Sequence, residues 1–212
     1  DVAEAMQLIG QRIGDMGVYR VEEMEHYEEA LRLKSEAYGE DQNHESIGDI
    51  LYIKGRHHQR YRHFKFAQKC YEQALRIYKA ALGPDHPRVA RVLHDIGIMY
   101  HARNDDDVAL KCLAKSMSIY AMSHHRSGGG GGTIGEAHDK NDLLLSIADI
   151  HCWIGKIRRE KRDFARAKEC FEEAHRIKVE VLGKAHIESA GVLHNIGIVC
   201  DDLALHSQSL SC

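Results

Sequence analysis

Residues Val92–Tyr100 read VLHDIGIMY, and residues Val192–Cys200 read VLHNIGIVC. A catalytic motif is needed once, so a near-copy a hundred residues on points to a repeated structural unit. Within each copy the apolar residues fall three and four apart: Leu93, Ile96, Gly97 and Tyr100 make one stripe along a helix. The same pattern, with a glycine inside it, occurs five times, at Gly10, Gly55, Gly97, Gly155 and Gly197, giving intervals of 45, 42, 58 and 42. A large apolar marker follows each of the first four glycines, at Tyr27, Tyr71, Leu113 and Phe171, with intervals of 44, 42 and 58.

The long interval exceeds the period by 16, and MSHHRSGGGGGTIGEAH (Met122–His138) interrupts the pattern there with the glycines Gly128 to Gly132. Each unit reads as two helices. In the third, HARNDDD (His101–Asp107) ends the first stripe, its aspartates suit a helix start, and Ala109, Leu113 and Ile119 follow on a second helix. Unit two pairs Leu51 and Gly55 with Ala67, Tyr71 and Ala74; unit four pairs Ile154 and Gly155 with Ala167, Phe171 and Ala174. Unit one pairs Met6, Ile9, Gly10 and Ile13 with Tyr27 and Ala30. A mid-helix glycine costs about 1 kcal/mol relative to alanine, so its recurrence predicts a close approach of the paired helices. LGPDHPRVA (Leu82–Ala90) matches LGKAHIESA (Leu182–Ala190) between units: Gly83 and Gly183 are expected to end the second helices in left-handed caps, and Pro87 to open the next helix. The first junction, YGEDQNHES (Tyr38–Ser46), is two residues longer between glycine and histidine.

The 212 residues are 43% hydrophobic and 29% charged, enough to bury a core, and a net charge of -3 implies no global pull toward nucleic acid or membrane. No apolar run approaches the roughly 20 residues of a membrane helix. Six cysteines form no CxxC pair, and Cys70, Cys112 and Cys170 each stand one residue before the apolar marker, a packing register rather than a redox one. They are read as reduced thiols of an intracellular, cytoplasmic protein. The chain begins at Asp1, and ALHSQSLSC (Ala204–Cys212) is polar and is expected to stop without a second helix, so a fragment of a longer array is expected.

A packing glycine, alanines flanking a large aromatic and two helices per unit resemble the tetratricopeptide repeat. The usual repeat has about 34 residues, whereas this one has 42, which with ALGPDHPRVARVLHDIGIMY (Ala81–Tyr100) resembles the repeats of kinesin light chains and nephrocystin-3-like proteins. The departures are Glu22 or Glu23 where the first alanine of unit one belongs, and Ser116 where the alanine of the third marker, Leu113, belongs. The resemblance implies an all-α superhelix of about four and a half units, near 1–40, 44–83, 86–122, 138–183 and 186–212, with 123–137 an inserted glycine-rich loop. It also implies a protein-interaction scaffold rather than an enzyme, with a cargo or adaptor role as one possibility.

In that family the first helices line a concave face, clear of the packing glycine. Unit two then offers Asp49, Tyr52, Ile53, Arg56, Gln59 and Arg60; unit three offers Arg91, His94, Asp95, Ile98 and His101. Unit four offers Asp149, Cys152, Trp153, Lys156 and Arg159; unit five offers His194, Asn195 and Ile198. The peptide-binding expectation rests on Tyr52, Arg56, Arg60, Arg91, His94, Asp95, His101, Trp153, Lys156, Arg159, His194 and Asn195. A basic lining favours an acidic peptide through charge-assisted hydrogen bonds. Asn195, with Asp95, stands where related arrays hold a peptide backbone, and Trp153 is the sole tryptophan and a natural anchor. The bland alternative is solvated charge on an unused face, with Trp153 packed in the core.

Other chemistries are weaker. Of sixteen histidines, His86 and His186 recur at equivalent junctions, and His94 and His194 on equivalent helices; His57-His58 and His124-His125 bring no zinc spacing, so no metal or cofactor is expected. RSGGGGGTIGE (Arg126–Glu136) lacks the lysine a phosphate loop needs before Thr133 and reads as a linker. KGRHHQRYRHFKF (Lys54–Phe66) is basic with interleaved aromatics, so an RNA-binding helical repeat using residues 54–65 is the alternative function, although Tyr61 with Phe64 or Phe66 is expected to pack the turn. No nucleophilic triad is recognisable, and the oligomeric state is not encoded legibly.

Overall fold

Apolar stripes broken by short polar turns produce eight helices and no strand among the described residues, 20–39, 44–127 and 140–210 of the computed structural model. They are α1 (Arg20–Tyr38), α2 (Glu45–Arg60), α3 (Phe64–Leu82), α4 (Pro87–Ala102), α5 (Asp106–Ser127), α6 (Lys140–Glu160), α7 (Phe164–Leu182) and α8 (Ile187–Leu210). The first helix expected of unit one, around Gly10, and the glycines Gly128 to Gly132 lie outside the described residues. The chain divides into two compact units, Asp1–Met99 and Tyr100–Cys212.

In the first unit α2 and α3 form a helix hairpin. A Cβ on Gly55 would lie 2.6 Å from the Tyr71 ring, so the helices touch where the repeated glycine predicted. Tyr71 is fully buried and donates its hydroxyl to Gln59 Oε1 at 2.6 Å. Ala67 and Ala74, one turn to either side, are fully buried because nothing larger fits beside the ring. Tyr27 and Ala30 of α1 pack against Ile50 of α2. The Tyr78 hydroxyl donates to Asp49 at 2.6 Å, and Arg88 reaches Glu45 at 3.0 Å. The junction histidines are helix caps: Nδ1 of His44 accepts from Ser46 N–H and Nδ1 of His86 from Arg88 N–H, each at 3.2 Å, satisfying donors the helix start leaves open. Pro87 opens α4 as expected. Gly83 has positive φ (91°), but its ψ of 160° lies outside the left-handed helical well, so the cap is an extended, glycine-only conformation rather than the one expected.

In the second unit α6 and α7 repeat that hairpin. A Cβ on Gly155 would stand 3.0 Å from the Phe171 ring. Ala148, Ala167, Phe171, Ala174, Ile177, Val192 and Val199 make one buried cluster of α6, α7 and α8. Lys178, at the register of Tyr78, is buried with Nζ 2.8 Å from both Asp149 and Glu188. His186 caps α8 by accepting from Glu188 N–H at 3.3 Å, and Gly183 repeats the positive φ (92°). The aspartates start α5 at Asp106. Two boundaries differ from expectation. The helix α5 runs on through Ser127, past the expected loop start, and Ser123 on it is buried. The polar segment after Ala204 does not stop but extends α8 to Leu210, since it holds no proline or glycine to break a helix.

Three turns close on a device the sequence did not announce. Arg62, Asn104 and Arg162 take positive φ (60°, 64° and 62°) without being glycine. In each, the next residue's N–H bonds five residues back, as from His63 to His58 O at 2.8 Å and from Asp163 to Arg158 O at 2.9 Å, which ends the first helix in a Schellman motif.

Candidate peptide-binding site

In the first unit the expected groove residues of α2 and α4 are occupied with one another. Tyr52 is only 6% exposed, and its hydroxyl donates to Asp95 Oδ2 at 2.7 Å. Burial first, then the Asp95 carboxylate, pushes the Tyr52 phenol far above its ordinary range. The Arg91 guanidinium lies 4.8 Å over the Tyr52 ring and that of Arg56 lies 6.0 Å from it, with Arg56 Nε 3.8 Å from Asp95. His94 Nδ1 is 3.7 Å from the other Asp95 oxygen, and Arg60 is exposed at the end of α2. Asp95 is thus engaged by its own chain rather than held open for a ligand backbone.

In the second unit the equivalent place is a pocket. Cys152, Trp153, Lys156 and Arg159 of α6, Phe171 of α7 and Asn195 of α8 line a cavity of about 210 Å³. Cys152 stands at the register of Tyr52, and Asn195 at that of Asp95. The second unit thus has a small thiol beside the cavity where the first has the Tyr52 ring, and the Asn195 amide has no phenol to bind. Burial pushes the Cys152 thiol up to about 11, so it is neutral at pH 7. Lys156 Nζ sits 4.7 Å over the Trp153 ring. His101 meets that ring edge-on at 6.0 Å and is held by Asp106 at 2.8 Å, with Glu160 3.6 Å from its other nitrogen. Arg159 Nε donates to Asp202 Oδ2 at 2.7 Å.

Five of the groove-lining residues read from the sequence, Cys152, Trp153, Lys156, Arg159 and Asn195, therefore meet in one pocket, and His101 touches it through Trp153. His194 is exposed and is not in the lining. Trp153 is half-buried, one face of the pocket rather than part of the core.

Two models of the tetratricopeptide repeat match the chain, at residues 44–122 and 148–178, together just over half of it. The chain belongs to the tetratricopeptide-repeat family. Its tetratricopeptide hairpins are similar to those of the crystal structure of BtubC (BKLC) from P. vanneervenii, with a TM-score of 0.67 and 21% identity over 85% of this chain and 65% of that one. The chain thus spans slightly less than two thirds of that relative. TPR-like repeats of a kinesin-light-chain-like protein from Podosopora anserina match with a TM-score of 0.70 and 15% identity, covering 98% of this chain and 90% of that one. A variant of the same protein gives 0.66 and 16%. At these identities the likeness concerns the fold. No curated protein matches the sequence.

Two pocket features escaped sequence reasoning. Phe171 was assigned to packing alone, yet it also floors the cavity. Asp202 was not singled out, yet it binds Arg159. A signal for the Asp202 contact existed: Arg159 and Asp202 are 43 residues apart, one repeat plus one, as are Tyr52 and Asp95 in the first unit. Among the described residues no cluster of histidine, cysteine and carboxylates suits a metal ion, and no helix is long and apolar enough to cross a membrane.

Proposed function

We propose that this tetratricopeptide array holds an acidic peptide, with the pocket of the second unit as the anchoring point. Repeats of this family form protein-interaction scaffolds. The observation that carries the finer reading is the cavity walled by Trp153, Lys156, Arg159 and Asn195. Its volume of about 210 Å³ lies below the roughly 300–1,000 Å³ of small-molecule sites, so it fits a single side chain of a peptide. Two cations beside one carboxylate, Asp202, leave a net positive wall for an acidic neighbour of that side chain. The Asn195 amide offers both a donor and an acceptor to a peptide backbone. A cytoplasmic cargo or adaptor role, not an enzymatic one, follows from the same reading and draws on the likeness to kinesin-light-chain-like repeats. The experiment is a titration with a fluorescent library of acidic peptides, read also by the emission of Trp153, the only tryptophan. Saturable emission changes that Lys156→Glu abolishes support the pocket; peptides that bind without moving Trp153 emission refute it.

A further inference from the structure

The α2–α3 turn carries a surface that the hairpin does not require. From Lys54 to Phe66 there is no acidic residue, and Arg60, Arg62, His63 and Lys65 are exposed. Phe66 is 59% exposed, and its ring stacks on His58 at 5.4 Å and 29°. The Arg62 guanidinium lies 5.4 Å over Phe64. The α6–α7 turn shows what the hairpin itself needs. Phe164, at the register of Phe64, packs against the core cluster. Glu160, Asp163, Ala165 and Arg166 stand where Arg60, His63, Lys65 and Phe66 stand. There Asp163 receives Arg158 at 3.3 Å and Arg166 at 3.5 Å, and Lys161 pairs with Asp107 at 2.6 Å. The same turn therefore folds with two carboxylates, Glu160 and Asp163, among its cations and without a second phenylalanine. The lack of any carboxylate and the open ring of Phe66 are what set the α2–α3 turn apart.

We infer that the α2–α3 turn is a docking surface for single-stranded RNA, with Phe66 on His58 as a platform for one base and Arg60, Arg62 and Lys65 on the neighbouring phosphates. Flat faces beside cations are what an unpaired strand engages, since every base has a face to stack and every linkage a charge. An acidic peptide answers the charge, but it leaves the exposed ring unexplained. Burial, then the neighbouring His57, lowers His58 to about 4, so at pH 7 it backs Phe66 as a neutral ring.

The test is fluorescence anisotropy of the full chain with labelled oligouridine of twelve nucleotides, from 50 to 300 mM salt. Expected are binding whose logarithm falls with log salt at a slope of about -2, as for three phosphates on a single strand, a loss of about tenfold for Phe66→Ala, and abolition by Arg62→Glu with Lys65→Glu, all at an unchanged melting temperature. Absence of binding at 50 mM salt overturns the inference, as does an undiminished affinity of Phe66→Ala. Polyglutamate, double-stranded RNA and phosphatidylserine vesicles serve as comparison arms. Equal or tighter binding of any of them with the same dependence on Phe66 assigns the surface to that partner instead and overturns it too.

Discussion

Replacing Cys152 with tyrosine tests whether the pocket is a repeat position left unfilled. The first unit supplies the template: a tyrosine at this register is 6% exposed, packs 6.1 Å from the next aromatic ring and bonds across to the residue 43 positions on. In Cys152→Tyr the ring enters the cavity of about 210 Å³, meets Phe171 and presents its hydroxyl to the Asn195 amide. Burying such a ring contributes about 1.5–3 kcal/mol, and imperfect fit in a pocket not built for it returns about 1 kcal/mol of that. A net gain of about 1 kcal/mol raises the melting temperature of a chain this size by about 2–4 °C. The same ring excludes the ligand side chain, so peptide affinity falls at least about tenfold, since a buried anchor is worth 2 kcal/mol or more. Circular dichroism melts and peptide titrations read the two effects on one sample. A lower melting temperature refutes the idea that the cavity is a vacant tyrosine site. Unaltered peptide affinity in the folded variant refutes the pocket as the anchor.

Alanine in place of two equivalent glycines should act in opposite directions. Gly155→Ala drives a methyl to 3.0 Å from Phe171 and should cost about 1–3 kcal/mol, while Gly197→Ala meets nothing within 4 Å and should gain up to about 1 kcal/mol in helix propensity; urea melts would show the opposite signs. Arg162→Gly relieves a positive φ of 62° and should stabilise by about 0.5–1 kcal/mol, so a lower denaturation midpoint would contradict the strain assigned to that turn. The Glu188 carboxyl is held below its ordinary value of 4.5 by the hydrogen bond from Lys178 and then by its charge. Its contribution is therefore complete above about pH 4.5 and is lost as pH falls through the lowered value, so Glu188→Gln should flatten the fall in melting temperature between pH 5 and 3. For Lys178 burial works against the charge, but the bonds with Asp149 and Glu188 outweigh it and raise the amine above 10.5; that contribution disappears only as pH rises through the raised value.

Much of the molecule was legible as periodicity. Gly55 and Gly155 lie against Tyr71 and Phe171, sixteen residues on in each case, because an invariant spacing in a repeat is a contact written twice. Cys70 is buried, and Cys112 and Cys170 are half-buried, in keeping with a small packing position rather than a redox one. The junction histidines were recognised as features of the repeat. Their chemistry was not, because an imidazole accepting from a helix's first turn is unusual beside serine or aspartate. The Schellman turns were missed for the same kind of reason, since Arg62 and Arg162 carry none of the glycine that normally marks a left-handed residue.

The amino-acid pattern alone determined the helix hairpin, its 42-residue period and the face that α2, α4 and α6 bury, since these follow from helical geometry and the placement of small and large apolar residues along one chain; in α8 the same stripe, at Leu193 and Gly197, is exposed. Which of the outward side chains are available to a partner was decided only in three dimensions. Tyr52 and Asp95 look like ligand-binding groups until they are seen bonded to each other, and Cys152 and Asn195 gain meaning only from the gap between them. The physical reason is that composition assigns each side chain its capacity to bond, whereas a neighbour one repeat away determines whether that capacity is already spent.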